Sequence, residues 1–355
     1  MAGKSIVMTG LGAIGSHLAL HLARTPDVGC VTLVDRENYE IHNVLSANQD
    51  ILPNDVDRPK VEVQARRMRA IRPDLEIIAV HAALETLPLA VWRADLIIAG
   101  LDSRGGRQAV HTRAWHLGVP LLDTGVLASE WLARVNIYVP GEDAPCLECA
   151  WSERDYELLE QEYPCGGPAH SPAHTGGPSA LGSLAAAMAA LESRKVLFGD
   201  PGRTAIGLQV MANARWHQCT ETSFRRNPQC RFDHAVWPIE PLRCRLEDMC
   251  LRDLLDLGGG SASVPLQRFV RRRLCRDCGR AETQFHLEAS LDSQCSCGGA
   301  MKAPGFDIVE TLNGQLPPQV LRMSLAEAGL RNGDVLKTAN RYLEISAGGV
   351  IASGK

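Results

Sequence analysis

The stretch Ser5-Ile-Val-Met-Thr9, followed by Gly10-Leu-Gly12-Ala-Ile-Gly15, decides the fold. Its first half is an apolar run typical of a buried strand, and a helical pattern begins after the glycines, from about Ile14 to Arg24. A second apolar strand, Val31-Thr-Leu-Val34, ends at Asp35. In this arrangement glycines and a helix N-terminus face phosphate, and the carboxylate binds ribose hydroxyls. The stretch predicts a nucleotide site, and taken alone it favours NAD and a dehydrogenase.

Helical and strand patterns alternate along the next part of the chain. We expect them in turn at residues 60–71, 75–80, 94–99, about 106–117 and 120–122. Such alternation predicts an α/β protein with a doubly wound, Rossmann-like sheet. Residues 131–139 alternate like an antiparallel strand, so we expect an antiparallel extension of the sheet, followed by a long helix at 178–198.

Composition excludes several classes of protein. Of the 355 residues, 45% are hydrophobic and 22% charged, which is typical of a globular protein with more than one domain. A formal charge of -4 makes a nucleic-acid partner unexpected. We see neither an apolar run long enough for a bilayer nor a signal-peptide cleavage site, and expect a cytoplasmic protein without a membrane partner. Several of the 12 cysteines stand in close pairs, which in a reducing compartment indicates metal binding.

An ordered set of polar residues follows the glycine turn. It comprises Asp35-x-Glu37, Asn43, Gln49, Lys60, Asp102 and Arg107. This order resembles the ubiquitin-activating superfamily in its ThiF, MoeB and HesA branch, over about residues 4–235. The resemblance implies ATP rather than NAD, and adenylation of the C-terminal carboxylate of a small protein.

The resemblance also implies roles for these residues. Because both reactants are anionic, catalysis depends on positioning and charge neutralisation. Gly10, Gly12 and Gly15 would bind ATP, Asp35 its ribose, and Lys60 its phosphates. Asp102 would hold Mg²⁺ and Arg107 would support the Asp102 loop, while Asn43 and Gln49 would hydrogen-bond phosphates or the attacking carboxylate.

Each assignment has an ordinary structural alternative. Lys60 could be a solvated lysine at the start of a helix, Asp102 a helix cap, and Arg107 a surface helix residue. The arginine that the family carries between its asparagine and glutamine is missing, because the sequence reads Asn43-Val-Leu-Ser-Ala-Asn48-Gln49. Either Arg104 or another chain supplies that charge, or the adenylation step is altered.

Two cysteine clusters have metal-ligand spacing. Cys146-Leu-Glu-Cys149 is a zinc knuckle, and relatives complete the site with a later CxxC. In its place stand Cys230 and His234, so the resemblance implies a Cys₃His structural zinc site; ordinary buried cysteines are the alternative. The second cluster is read from spacing alone as a zinc ribbon, and its members are Cys275, Cys278, Cys295 and Cys297.

Cys165 stands apart, in a glycine- and proline-rich segment after an acidic stretch. Family members carry a cysteine here, which implies a thioester with a ubiquitin-like protein and transfer to a conjugating enzyme. An inert loop cysteine is the alternative. The rival function is a sulfur-carrier adenylyltransferase with a sulfurtransferase partner, and a non-catalytic nucleotide-binding scaffold is the third.

We expect residues 1–237 to form the adenylation domain, which carries Cys165. Residues 238–355 would form a zinc-ribbon domain that recruits a partner. Residues 323–336 resemble the helix, Gly-Asp turn and strand of β-grasp, ubiquitin-like modules. By analogy the protein would act as a homodimer in a bacterial ubiquitin-like conjugation system of antiphage defence.

Overall fold

The computed structural model describes residues 3–45, 49–160, 178–199 and 204–347. These form two compact units, one of residues 3–84 and 92–236, the other of residues 85–91 and 237–347. Cys165 and Asn48 lie outside the described residues.

The first unit is built on an eight-stranded sheet in the order β3-β2-β1-β4-β5-β6-β7-β8. Its strands are β1 (Lys4–Thr9), β2 (Val28–Asp35), β3 (Glu76–His81), β4 (Leu96–Ala99), β5 (Leu121–Leu127), β6 (Leu132–Tyr138), β7 (Leu208–Asn213) and β8 (Gln218–Ser223). The first five strands pair in parallel, and β5 to β8 pair antiparallel. This confirms the Rossmann-like α/β sheet and its antiparallel extension.

Six helices accompany this sheet within the described residues. They are α1 (Gly15–Ala23), α2 (Ile41–Leu45), α3 (Lys60–Ile71), α4 (Arg104–His116), α5 (Glu153–Glu160) and α6 (Ser179–Phe198). The predicted limits of α3 are confirmed, and those of α6 to within one residue. The small side chains of α6 pack on α1, β5 and β6 in one apolar core. A Cβ on Gly182 would lie 2.4 Å from the Ala13 carbonyl oxygen, so glycine is needed for this close crossing.

The second unit has a core of its own. Its larger sheet runs β15-β10-β16-β17-β9, and in its smaller sheet β11 pairs with β12, β13 and β14. The elements are β9 (Ile239–Arg243), α7 (Leu251–Leu257), β10 (Ser261–Ser263), β11 (Phe269–Cys275), β12 (Ala281–Leu287), β13 (Met301–Lys302), β14 (Ile308–Val309), β15 (Leu312–Asn313), α8 (Pro318–Leu321), β16 (Val335–Thr338) and β17 (Tyr342–Ser346). The first and last strands, β9 and β17, lie side by side in parallel.

In the second unit, residues 258–260 form a turn between α7 and β10, where Gly260 N donates to Leu255 O at 2.8 Å. One sequence expectation for this unit needs correction. The helix expected from residue 323 is absent: residues 325–329 form turns, although strand β16 follows them as expected. No helix in the described part of the chain combines the length and apolar character that crossing a bilayer requires.

Candidate nucleotide site and metal centres

The glycine turn joins β1 to α1, and each of its three positions suits glycine for a different structural reason. Gly10 has a φ of +79°, which favours glycine. A Cβ on Gly15 would lie 2.0 Å from the Gly10 carbonyl oxygen, so only glycine lets α1 start so close to the strand. A Cβ on Gly12 would meet nothing within 4 Å. The backbone at Gly12 is therefore open to a ligand, as phosphate binding requires.

Asp35, at the end of β2, braces this turn. Its Oδ2 accepts a hydrogen bond from Leu11 N at 2.7 Å and its Oδ1 one from Glu37 N at 2.9 Å. Burial raises the pKa of the Asp35 carboxyl, while Lys60 and the two amides act in the opposite direction. The carboxylate holds the turn and retains lone pairs for further donors, such as ribose hydroxyls.

Tyr39 is a second brace, which sequence reasoning missed. Its hydroxyl donates to Leu11 O at 2.8 Å and accepts from Gln64 Nε2 at 2.8 Å. The side chain is fully buried, and burial raises the pKa of its hydroxyl. Leu11 is thus held through its N–H by Asp35 and through its carbonyl by Tyr39.

Lys60, the first residue of α3, lies at the same edge of the sheet. It is 6% exposed, so the solvated-lysine interpretation is wrong. Its Nζ lies 2.7 Å from Glu37 Oε2 and 5.5 Å from the centre of the Tyr39 ring. A buried ammonium group is costly unless it is paired, and here Glu37 provides the partner.

The amide residues Asn43 and Gln49 lie on either side of residues 46–48, which are outside the described part of the chain. Asn43 is 5% exposed, and its Oδ1 accepts from Glu40 N at 2.8 Å. Gln49 Oε1 is buried without a hydrogen-bond partner among the described residues. The next residue, Asp50, donates its N–H to Ser16 Oγ at 3.1 Å. Gln49 is therefore next to the first turn of α1, with a buried acceptor available to a ligand.

Asp102 follows β4 and is exposed. The cap of α4 is Ser103, whose Oγ accepts from Gly106 N at 3.2 Å, so the interpretation of Asp102 as the cap is wrong. Arg107 is not a surface residue either, because its side chain is 14% exposed. It donates to Leu101 O, next to Asp102, and to Thr124 O at 3.0 Å. The placement suits the expected support of the Asp102 loop.

Asp123, in β5, is a buried carboxylate that sequence reasoning also missed. It pairs with Arg107 and with Arg134 Nη1, the latter at 2.7 Å. Arg134 Nη1 also donates to Asn136 Oδ1 at 2.7 Å. Burial opposes the charge of Arg134, but Asp123 outweighs it and raises the pKa of the guanidinium.

Arg104, one possible source of the missing positive charge, is held elsewhere. It pairs with Asp155 of α5, and its guanidinium carbon lies 5.8 Å from the centre of the Trp151 ring. In this arrangement its charge is directed to α5.

The first cysteine cluster brings together Cys146, Cys149, Cys230 and His234, with ligand atoms within 4.8 Å of one another. The Sγ atoms of Cys146 and Cys230 are 3.7 Å apart, and Cys149 Sγ is 3.3 Å from His234 Nε2. His234 Nδ1 lies 2.7 Å from Phe232 O, and Nε2, which Arg226 Nη1 also contacts, is the ring nitrogen beside Cys149 Sγ. This donor set and its spacing fit tetrahedral zinc.

His111 supports this knuckle from α4. Burial lowers the pKa of His111 to about 3, so the ring is neutral near neutral pH. Its Nε2 accepts a hydrogen bond from Leu147 N at 3.3 Å, between the two knuckle cysteines.

The second cluster gathers Cys275, Cys278, Cys295 and Cys297. Cys275 and Cys297 have Sγ atoms 3.5 Å apart, and those of Cys278 and Cys295 are 3.7 Å apart. Each pair is followed by a glycine with positive φ, Gly279 at +74° and Gly298 at +88°. Four thiols with this spacing also fit zinc.

The ThiF family matches residues 2–232 of the chain. The sulfur carrier protein ThiS adenylyltransferase of Escherichia coli is 28% identical over 154 residues, 42% of this chain and 59% of that protein. The molybdopterin-synthase adenylyltransferase of E. coli is 28% identical over 232 residues, 63% of this chain and 85% of that protein. Human ubiquitin-like modifier-activating enzyme 7 is 30% identical over 171 residues, 44% of this chain and 17% of that protein.

The chain thus spans less than two thirds of the first and third of these relatives. Among solved structures, that of E. coli MccB with ATP superimposes with a TM-score of 0.52 and 20% identity, covering 65% of this chain and 66% of that one. At this identity the likeness concerns the fold.

Proposed function

The chain belongs to the ThiF family, and on that premise we propose that it uses ATP to adenylate the C-terminal carboxylate of a ubiquitin-like or sulfur-carrier protein. The family match over residues 2–232 carries the proposal, because these residues include the glycine turn and all the polar side chains described around it. Two adenylyltransferases among the relatives support the same chemistry.

In this reaction a carboxylate oxygen attacks the α-phosphorus of ATP. A new C–O–P linkage forms, and the bond between the α-phosphorus and the oxygen that bridges to the β-phosphorus breaks. Pyrophosphate leaves with the electron pair of that bond. The glycine turn would hold the phosphates, Asp35 the ribose, and Lys60 would exchange part of its pairing with Glu37 for phosphate. Gln49 and Asn43 would orient the reactants. Asp102 would hold Mg²⁺, which neutralises phosphate charge.

For the finer step we propose a ubiquitin-like substrate that forms a thioester on Cys165 and passes to a conjugating enzyme. The Cys165 thiolate would attack the acyl carbon, and AMP would leave. The relative named as a ubiquitin-like modifier-activating enzyme supports this branch. The setting would be a cytoplasmic, bacterial conjugation system of antiphage defence.

The second candidate is a sulfur-carrier adenylyltransferase with a sulfurtransferase partner. It is favoured by the molybdopterin-synthase adenylyltransferase, of which the alignment covers 85%. The third candidate is a non-catalytic, nucleotide-binding scaffold. It is favoured by the pairing of Arg104 with Asp155, because Arg104 then does not supply the positive charge of the missing family arginine.

We also propose one structural zinc ion in each cysteine cluster, a homodimeric assembly, and a partner-recruiting role for the second unit. The ligand sets described above support the zinc ions. Light scattering of the purified chain tests the dimer, and a single-chain mass would contradict it.

One set of assays separates the functions. The full chain is incubated with a panel of ubiquitin-like and sulfur-carrier proteins, ATP and Mg²⁺. Pyrophosphate exchange together with a thiol-sensitive adduct that is lost in Cys165→Ala supports the conjugation branch. Exchange without the adduct supports the sulfur-carrier branch, and neither signal with retained ATP binding supports the scaffold. Asp102→Ala should abolish exchange; normal exchange in that variant would contradict the Mg²⁺ role.

A further inference from the structure

Two guanidinium groups lie next to each other over Gly125. Arg107 comes from α4, and Arg134 of β6 is the cross-strand partner of Gly125 in β5. A Cβ on Gly125 would lie 3.0 Å from Arg107 Nη2 and 3.4 Å from both Nε and Nη2 of Arg134. The absence of a side chain at residue 125 is therefore what lets the two groups come together.

These two cations share one carboxylate, that of Asp123. Asp123 is fully buried, and the side chains of Arg107 and Arg134 are 14% and 25% exposed. One negative charge balances one of the two positive charges. In surroundings that water reaches poorly, the remaining charge attracts an anion strongly.

The pair also has donors to offer at a useful place. Arg134 uses Nη1 for Asp123 and Asn136, and in the described part of the chain its Nε and Nη2 have no acceptor. Arg107 Nη2 donates to Leu101 O, one residue before Asp102. The donors of Arg134 therefore lie beside Gly125, close to the loop that carries Asp102.

We propose that Arg134, together with Arg107, binds one oxyanion group at Gly125. The inference rests on the proposed function, which supplies two sources of that group: the C-terminal carboxylate of the protein substrate and the phosphates of ATP. The planar guanidinium fork is suited to either, because it can donate two parallel hydrogen bonds to one oxyanion.

Binding measurements on the full chain test this without turnover. Isothermal titration measures the affinity for an α,β-methylene analogue of ATP in the presence of Mg²⁺ and the affinity for adenosine, which lacks phosphates. The ratio of the two affinities is the preference for the analogue. It also compares a peptide that ends in a free Gly-Gly carboxylate against its amide, both added to protein saturated with the analogue. The variants are Arg134→Gln, Arg134→Lys and the control Arg215→Gln, a half-exposed arginine 4.0 Å from Glu130.

We expect Arg134→Gln to reduce one of the two preferences at least about tenfold, since it removes hydrogen bonds to a charged group. A reduced preference for the analogue assigns the site to phosphate, and a reduced preference for the free acid assigns it to the carboxylate. Arg134→Lys should reduce that preference less, because lysine keeps the positive charge although it cannot donate two parallel hydrogen bonds. Equal losses in the two variants, or preferences unchanged from Arg215→Gln, would overturn the proposal.

A measurement on the unchanged protein covers the case in which Arg134→Gln does not fold. Phenylglyoxal modifies accessible arginines, and mass spectrometry locates the adducts. The analogue or the free-acid peptide should slow modification of Arg134 and leave Arg215 unchanged; no protection by either probe overturns the site. Protection of Arg134 with no pyrophosphate exchange for any carrier would leave the site in place and contradict the proposed function. Pyrophosphate exchange without protection of Arg134 would contradict the anion site and leave the proposed function in place.

Discussion

Tyr39 contributes one hydroxyl group to the glycine turn, and its removal can be tested directly. Tyr39→Phe leaves Leu11 O and Gln64 Nε2 without this buried partner. We expect the free energy of unfolding of the first unit to fall by about 1–3 kcal/mol. Urea denaturation measures it, with Tyr342→Phe as control, since that ring stacks on Trp237 in the second unit. Wild-type stability of Tyr39→Phe would show that the hydroxyl does not brace the turn.

Asp155 gives a prediction for acid pH. Hydrogen bonds from Ser152 N and Oγ, both at 2.7 Å, and the pairing with Arg104 lower the pKa of Asp155 to about 2. Its folded-state pKa is below the ordinary 3.8, so its contribution to stability is present above about pH 4 and is lost as the pH falls towards 2. Carbon-13 NMR titration of the carboxyl group measures the midpoint.

The same titration separates the causes. Ser152→Ala and Arg104→Gln should each raise the pKa of Asp155, because each removes a donor to its carboxylate. The backbone N–H of Ser152, the largest cause of the lowered pKa, remains in both variants. A wild-type midpoint near 4 would contradict the bonding seen at this residue.

The places of some candidate-site residues were predictable from the sequence and those of others were not. Asp35 ends a strand, Asp102 follows one and Lys60 begins a helix, and parallel strands bring their carboxyl ends to one edge of a sheet. Asp123 and Arg134 carry no such signal. Their pairing depends on the register of β5 against β6, in which Asp123 faces Asn136 and Gly125 faces Arg134. A single sequence does not specify which distant polar side chains that register brings together.

At the scale of elements, α6 crosses the glycine turn closely at Gly182. Gly182→Ala would place a methyl group 2.4 Å from Ala13 O. We expect it to cost about 1–3 kcal/mol of stability as an overpacked contact. It should also weaken ATP binding, because Ala13 lies within the turn. Urea denaturation and titration with ATP measure the two effects.

Gly105→Ala is the matched control, since Gly105 is also helical. Its new methyl group would lie 3.7 Å from Leu159 Cδ2, an ordinary contact. This variant should be neutral or gain about 0.5–1 kcal/mol from helix propensity. A Gly182→Ala protein that behaves like Gly105→Ala would show that α6 can move away from the turn freely.

Element boundaries were predictable where the pattern is periodic and fail where pairing decides. Helix α3 has the expected limits, Lys60–Ile71. Strand β5 continues to Leu127, beyond the apolar residues that predicted it, because residues 123–127 pair with β6. In residues 325–329 helix-forming residues form turns instead. There Leu325 N donates to Met249 O at 2.9 Å and Ala326 N to Leu246 O at 3.1 Å, while Ala328 N makes a helical bond to Ser324 O at 3.0 Å.

At the scale of the whole molecule, the described residues include a large apolar core in each of the two units. One is formed around the eight-stranded sheet and the other around the sheet that contains β9 and β17. The cysteine clusters are divided in the same way: Cys146 and Cys230 belong to the first unit, Cys275 and Cys297 to the second. Each metal ion would therefore stabilise its own unit.

This division predicts two thermal transitions that respond to different changes. A metal that binds only the folded state stabilises that state. Cys275→Ser should therefore lower the transition of the second unit and reduce the zinc content from two ions per chain to one. Cys230→Ser should do the same for the first unit, while Cys219→Ser, at an exposed cysteine of β8, should change neither transition. ATP at 100 times its Kd should stabilise the first unit alone by about 2.7 kcal/mol. Differential scanning calorimetry with elemental analysis measures these effects, and a single transition that every variant shifts equally would show that the two cores unfold as one.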